Sequence, residues 1–532
     1  MKKYTLTVID TKSIQKYIFG TNKLQQNAGA SYLVDCTTRY WVVDCLPRPH
    51  NVIDIDATEM DKKISGQKIE DGKLASELLY TGGGNAVVLF KNRDLAVEFA
   101  GSLTRRVIQK APGLEIILVH RDIDWQNESL NDVLQQAMED LAKRKADRFT
   151  STPQLGLGVT ASCVYTGLPA VDYEKDTGRI ISAEVKAKTD AAEEAHKRLE
   201  NLLGLNDYKI PKDFEDFGRT RGESSYIAVV HIDGNQMGMR IKKYIQQNSP
   251  DNRSLIDAQR KFSNSIEKTA QEVLKKTTGL LVNAIKPDEK GSKKIAGTIE
   301  LRENKIPFRP IVLGGDDLTF ASDGRLGLTL ASYYLRESSK KNLVDKKPFY
   351  CRAGVAVIKT RFPFARGYAL AEELCASAKK RIAELRDPGE DDATVMDWHF
   401  AAGGLLEDLE AIRKREYTVK KGEFLYMRPV SLSCDSKDWR SWTTFERLVR
   451  EFKEGETWKD RRNKVKALRE TLRIGSGEAV EYFLKAYNLT RLPDIPEMPE
   501  MSRRGWQAGR CGYFDAIEAM DFYIPLEERV AP

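Results

Sequence analysis

Apolar and polar positions follow the same order twice along this chain. In the first half, residues 4–9 read as a strand that runs into Asp10. Residues 31–46 are apolar at mixed spacing and predict a buried helix. Residues 77–80 and 86–90 flank the turn Thr81-Gly82-Gly83-Gly84-Asn85 and predict a hairpin. Residues 93–110 predict a helix, 114–120 a strand and 130–149 a further helix rich in Ala, Leu, Lys and Glu. In the second half, residues 226–232 predict a strand that runs into Asp233. Residues 254–285 predict a helix with Phe262, Ile266, Ala270, Val273 and Leu274 on one face. A second Gly-Gly hairpin, a helix over 326–337, the strand Arg352-Ala353-Gly354-Val355-Ala356-Val357-Ile358 and a helix over 365–385 complete it.

The spacings agree. Asp10 precedes Gly82 by 72 residues, and Asp233 precedes Gly314 by 81. Each half therefore holds strand-Asp, helix, strand, Gly-Gly turn, strand, helix, strand. That is the order of a ferredoxin-like sheet with helices on one face, in an α+β chain. Four regions are expected: a first unit over 1–150, a connecting or inserted region over 151–222, a second unit over 223–403, and a mainly helical region over 404–532. Residues 174–216 are charged and less periodic and read as a linker or small insertion. Residues 286–294 read as a surface loop. Beyond Gly404 the pattern predicts helices over 461–469 and 477–487, followed by an extended stretch over 492–501 with three prolines.

Composition narrows the classes. The 532 residues suffice for several cores at 41% hydrophobic content, and the net charge of +7 permits nucleic acid as a partner without pointing to it. The seven cysteines form no C-x-x-C pair, which indicates neither a disulfide framework nor a zinc ribbon. No stretch approaches the ~20 apolar residues of a membrane helix, so a cytoplasmic protein with no membrane partner is expected. The five histidines are far apart, and no His-Asp pair occurs.

The chemistry concentrates in Ile311-Val312-Leu313-Gly314-Gly315-Asp316-Asp317-Leu318-Thr319-Phe320. This reads as a hairpin with two carboxylates at its tip. Asp and Gly also form plain solvated turns; the upstream Asp233 and the repeat favour chemistry. In a ferredoxin-like sheet the first strand lies beside the hairpin, so Asp233 would join Asp316 and Asp317. Three carboxylates suit one or two Mg²⁺ (or Mn²⁺) ions, hard cations that take oxygen ligands. One ion would activate an attacking 3′-hydroxyl, and the other would hold a triphosphate. Gly314 and Gly315 would let backbone approach a nucleotide. Gly234, Asn235 and Gly238 would present N–H groups to a triphosphate, and Lys379 would meet its phosphates as a point charge. In the first unit, Gly84 and Asn85 replace the two aspartates, so that unit reads as catalytically degenerate.

These residues resemble the large, polymerase-like subunit of type III CRISPR effector complexes. The resemblance rests on Gly314 to Asp317 and His231-Ile232-Asp233-Gly234-Asn235 in the second unit, with Ala353-Gly354-Val355-Ala356 and Ala378-Lys379. In the first unit it rests on Ile14-Gln15-Lys16-Tyr17-Ile18-Phe19, Gly29-Ala30-Ser31 and Gly82-Gly83-Gly84-Asn85. Asp515-Ala516-Ile517-Glu518 and Asp521-Phe522 fit a small helical closing domain. The resemblance implies two palm domains of the nucleotidyl-cyclase type, joined by a helical linker. It implies ATP as substrate, a cyclic oligoadenylate messenger as product, and antiviral defence as the setting. Each palm would hold one ATP at a shared interface, with Ser31, Gly82, Gly83 and Asn85 on the first-palm side. Guide RNA and CRISPR-associated subunits would be partners, with target RNA as activator. Many members begin with a histidine-aspartate nuclease domain and carry a cysteine-rich zinc module between the palms. This chain begins at the first palm and offers only Cys163 in that region, so neither DNA cleavage nor structural zinc is expected. A compact, stand-alone relative and a subunit of a variant assembly both fit. The alternatives are a cyclase with another product and a non-catalytic RNA-binding scaffold using clusters such as Lys12, Lys16 and Lys23 or residues 413–415.

Overall fold

A computed structural model describes residues 3–147, 157–217, 225–385, 393–401, 408–420, 422–432 and 438–526. The boundaries expected at 150, 222 and 403 fall outside them, as do Phe149, Gly404 and Cys434.

The first sheet is built from β1 (Lys3–Lys12), β2 (Ser76–Gly82), β3 (Asn85–Phe90) and β4 (Glu115–Asp124) in the order β2-β3-β1-β4, all antiparallel. Helices α1 (Ile14–Ile18) and α2 (Leu24–Thr38) follow β1, α3 (Arg93–Lys110) follows β3, and α4 (Leu130–Asp147) follows β4. The helix expected over 31–46 is two pieces: α2 and a short helix, Tyr40–Cys45, separated at Arg39. Next comes α5 (Ala183–Leu203), a 21-residue helix that gives the connecting region the helical character expected of it, within the stretch read as a linker or small insertion. Its buried stripe is Val185, Lys188, Ala192, His196, Leu199 and Leu203. The helical period was present in the sequence, but Lys and His occupy two of its inward positions and hid it. Ser182 caps it by accepting from the Val185 N–H, and Gly204 ends it in the left-handed region.

The second unit repeats the first. It consists of β5 (Tyr226–Gly234), α6 (Met237–Asn248), α7 (Asn252–Asn283), β6 (Phe308–Gly314), β7 (Asp317–Asp323), α8 (Gly327–Ser339), β8 (Cys351–Lys359) and α9 (Phe364–Leu385). Its sheet runs β6-β7-β5-β8, extended by β9 (Val395–Ala401), parallel to β8, and β10 (Val430–Ser431). The four shared strands keep the order of the first sheet. Even a bulge recurs, four residues before the turn in each hairpin: the register shifts between Leu78 and Tyr80 and between Pro310 and Val312. The loop expected over 286–294 is instead a short hairpin of Ile285–Pro287 and Lys293–Ile295.

The two units share one core. Ile9, Val88 and Leu33 of the first pack in the same cluster as Val229, Ala356 and Leu374 of the second. The opposite face of the first sheet packs on α4 and on Leu255 and Ile256 of α7, so α7 also spans both units. Beyond the sheet extension lie the helices Trp442–Glu454, Arg462–Arg473, Gly477–Ala486 and Phe514–Ala519. Asp515 anchors that end: its Oδ2 accepts from the backbone N–H groups of Met427 and Arg428, at 2.8 and 3.0 Å. No helix among the described residues is long and apolar enough to cross a membrane.

Helices α2 and α5 meet at Gly29, where an added Cβ would stand 1.8 Å from Lys188 O and 2.8 Å from its carbonyl carbon. Backbone cannot yield as a flexible side chain can, so Gly29→Ala should push the helices apart and cost about 1–3 kcal/mol. Denaturant unfolding of the variant against wild type checks this; equal midpoints would contradict the close approach.

Candidate active site

Strand register places the expected residues. Leu318 stands opposite Ile232, and Thr319 opposite His231; continued by one residue, Asp317 stands opposite Asp233. Asp233 in turn pairs with Arg352 on β8. Side chains two residues apart share a face, so Asp317, Asp233 and Arg352 form a row across β7, β5 and β8, with His231 and Thr319 in the next row. Asp316 occupies the turn itself. Its backbone carbonyl accepts from the Gly234 N–H at 3.1 Å, and an added Cβ on Gly234 would come within 2.8 Å of Asp316 Cβ. Gly315 adopts φ 74°, a left-handed conformation that favours glycine. The expected carboxylates are thus brought together.

Their electrostatics are unfavourable as they stand. Burial and the neighbouring Asp233 push the Asp316 carboxyl up to about 6. Burial, Asp233, Asp316 and Glu372 push Asp317 up to about 8. The Asp317 side chain keeps 38% of its surface open, yet its Oδ1 is sealed and has no hydrogen-bond partner. His231 Nδ1 lies 3.4 Å from that oxygen without the geometry of a hydrogen bond, and is 3.2 Å from Thr319 Oγ1. Burial and then Arg352 lower the His231 ring to about 4, so it is neutral at pH 7 and offers Asp317 no charge. Burial raises Asp233; its ion pair with Arg352 and the field of Lys379 oppose that rise.

This bears on the expected metal. Crowded hard-oxygen donors and an orphaned buried carboxylate oxygen fit a divalent cation chemically. The side chains do not yet converge, however: among the described residues, no group of three or more His, Cys, Asp and Glu is set to hold a metal. Arg352, an unexpected participant, holds Asp233. Arg352 Nη1 also donates to Asn235 Oδ1 at 3.0 Å, while Asn235 Nδ2 donates to Ala393 O at 2.8 Å. The Asn235 amide therefore braces the strand ends.

Of the expected residues, Ser31, Gly82, Gly83, Asn85, Gly238 and the Gly314–Asp317 tip line a cleft of about 1250 Å³ between the units, whereas Asp233, Gly234, Asn235 and Lys379 lie outside its lining. The two tips face each other. An added Cβ on Gly314 would lie 3.9 Å from Gly83 Cα, and one on Gly83 would lie 4.0 Å from Gly314 O. The first-unit site differs chemically. Asp10 stands opposite Asn85, as Asp233 stands opposite Asp317, but it is neutralised by Lys145 at 2.5 Å. Gly84, at the place of Asp316, adopts φ 82°, and an added Cβ there would be 2.5 Å from Ile14 Cδ1 and 2.8 Å from Thr11 Oγ1, so a side chain would need its neighbours to shift. Lys379 is exposed on α9. Arg413, considered for RNA, instead donates from Nη2 to both carboxylate oxygens of the buried Asp397, at 2.6 and 2.7 Å.

The residues missed from sequence are Arg352, His231, Tyr368 and Glu372. Arg352 gave the one available signal, a charge opening an otherwise apolar strand; the others act through contacts distant in sequence.

Both aspartates keep their protons to higher pH in the folded state than in an unfolded chain, which releases them near pH 4. Their contribution to stability is fully present below that value and is lost as pH rises through about 6 and about 8. In chelator, the wild-type Tm should fall from pH 5 to pH 8.5 relative to an Asp316→Asn, Asp317→Asn variant, by roughly 1–3 °C, and Mg²⁺ should narrow the gap. Parallel Tm profiles would show that the carboxylates are not in conflict.

No protein-family model and no curated protein matches the sequence. The fold does find relatives. The solved Csm1-Csm4 cassette in complex with cA4 is similar at TM-score 0.53 and 12% identity, over 98% of this chain and 69% of that one. Csm1 in T.onnurineus matches at TM-score 0.53 and 12% identity, over 98% and 70%. The cassette in complex with one ATP matches at TM-score 0.52 and 13% identity, over 98% and 70%. Over nearly its whole length the chain thus has the fold of the type III CRISPR protein Csm1, as its motifs led one to expect.

Proposed function

We propose that this chain is a metal-dependent nucleotidyltransferase that joins ATP into a cyclic oligoadenylate, as the large subunit of a CRISPR-type antiviral assembly. The observation that carries this is the apposition of two Gly-Gly tips across one cleft, with two adjacent aspartates at one tip and glycine and asparagine at the same places of the other. The cleft exceeds the roughly 300–1,000 Å³ of a site for one small ligand, which suits two nucleotides. The Csm1 structures of like fold hold ATP or cA4. We read the two repeated units as palm domains, the first degenerate.

In this reading Asp316 and Asp317 would hold Mg²⁺ or Mn²⁺, joined by Asp233 once it leaves Arg352. The metal would acidify a 3′-hydroxyl and offset charge on the triphosphate. The chain's own residues supply the rest. The backbone at Gly314 and Gly315 admits a nucleotide close to the acidic tip. Gly82, Gly83, Asn85 and Ser31 would receive the partner nucleotide at a tip where Asn85 stands in place of an aspartate. Arg352, displaced from Asp233, and Lys379 would stand beside the phosphates as cations. Guide RNA, target RNA and CRISPR-associated subunits would act from outside this cleft.

The Asp233–Arg352 ion pair favours one other reading, a scaffold that binds RNA without chemistry. Incubation of the purified chain with each NTP and Mg²⁺ or Mn²⁺, with products identified by mass spectrometry, separates the two. The expected result is pyrophosphate and a cyclic product from ATP. Asp316→Ala with Asp317→Ala should lower turnover at least about 10³-fold. Turnover that survives the double substitution would remove the site assignment, and RNA binding with no turnover under either metal would favour the scaffold.

A further inference from the structure

Residues 14–22 of the first unit lie against α9 of the second, the helix that carries Tyr368, Glu372 and Lys379. Asn22 Oδ1 accepts from the N–H of Phe364, the first residue of α9, at 3.0 Å. That N–H has no partner within its own helix, so a side chain 342 positions away in sequence caps it. Gln15 Nε2 donates to Glu372 Oε1 at 2.8 Å. Phe19 stacks on Tyr368 with centroids 4.1 Å apart and 29° between planes, and meets Phe364 at 5.5 Å. From behind, Lys188 holds the segment: its Nζ donates to Tyr17 O at 2.6 Å and lies 4.1 Å from the Tyr17 ring.

The contacts continue inward from α9. Tyr368 donates its hydroxyl to the same Glu372 Oε1 at 3.1 Å. The His231 ring meets Tyr368 edge-on at 5.7 Å, and His231 Nδ1 lies 3.4 Å from Asp317 Oδ1. Two neutral donors hold Glu372 without cancelling its charge. A contact serving only to join two domains would need no carboxylate here, because the Phe19–Tyr368 stack already supplies apolar burial.

We infer that residues 14–22 act as a positioning clamp, in which Asn22 fixes the start of α9 and Gln15 orients Glu372 and Tyr368 beside Asp317. The acidic tip is then held in working geometry only while the first unit is docked. This gives the degenerate unit a role besides receiving a nucleotide. The kinetic consequence rests on the nucleotidyl-transfer reading above; the clamp itself does not.

Two measurements on the full chain test it. In hydrogen–deuterium exchange, Asn22→Ala and Gln15→Ala should speed exchange in the first turns of α9 by about fivefold or more, the scale of a lost helix cap. In kinetics, Gln15→Glu sets two carboxylates against each other and should lower kcat about tenfold or more, with KM for ATP within about twofold. Adding Glu372→Gln restores a donor–acceptor pair with its polarity reversed and should recover most of that loss. Unchanged exchange in both alanine variants would overturn the clamp, and so would a double variant no better than Gln15→Glu alone. If the wild-type chain turns over no nucleotide, the functional reading falls and the exchange measurement alone decides the clamp.

Discussion

Like charge crowded at a hairpin tip is the constraint on which the rest of this structure turns. Asp316 and Asp317 are adjacent in sequence, and strand register sets Asp233 directly across from Asp317. The ladder that pairs β7, β5 and β8 fixes the backbone of Asp233 and Asp317 side by side, and the tight turn holds Asp316 next to them. The fold answers the repulsion in two ways. Arg352 takes one carboxylate, and protonation is favoured at the other two. Neither answer suits a tip that is merely a turn, because two neutral residues would form the same hairpin without conflict.

The first unit shows what the same fold looks like once the conflict is removed. It keeps the strand order, the bulge and the Gly-Gly turn. Asn85 replaces one aspartate, and Lys145 neutralises the remaining Asp10. Ile14 fills the space a side chain at position 84 would need. That residue begins the segment that reaches α9, so the crowding at position 84 and the inter-unit contact involve adjacent residues, Ile14 and Gln15.

Much of this was legible in the sequence because it is local. A strand that runs into Asp, a Gly-Gly turn and a 3.6-residue apolar period are short-range patterns, and each appears where it was read. The errors have a common physical form. The span of helix α5 was missed because Lys188 and His196 occupy inward positions, where their burial rests on partners in other elements: Tyr17 O for Lys188, beside Glu184 of the same helix, and Arg309 for His196. The hairpin over 286–294 was read as a loop because charged residues crowd strands only three residues long. Arg352, His231 and Glu372 were missed because nothing near them in sequence names their partners. Gln15 and Glu372 are 357 positions apart. Patterns report what a segment does with its own neighbours, and the electrostatic half of a site is set by neighbours from elsewhere.

The ion pair between Asp233 and Arg352 has one further consequence for the proposed reaction. A divalent cation that engages all three carboxylates must displace Arg352 from Asp233, so binding has to offset the loss of a half-buried, charge-assisted contact. A triphosphate lowers that cost, since a displaced guanidinium beside phosphate oxygens keeps an anionic partner. Metal and nucleotide then favour each other's entry, each providing for the group the other leaves unpaired. On this view Arg352 keeps the acidic tip closed to cations alone and yields when a nucleotide arrives with them. In the proposed reaction Arg352 would thereby tie metal occupancy to the presence of the nucleotide.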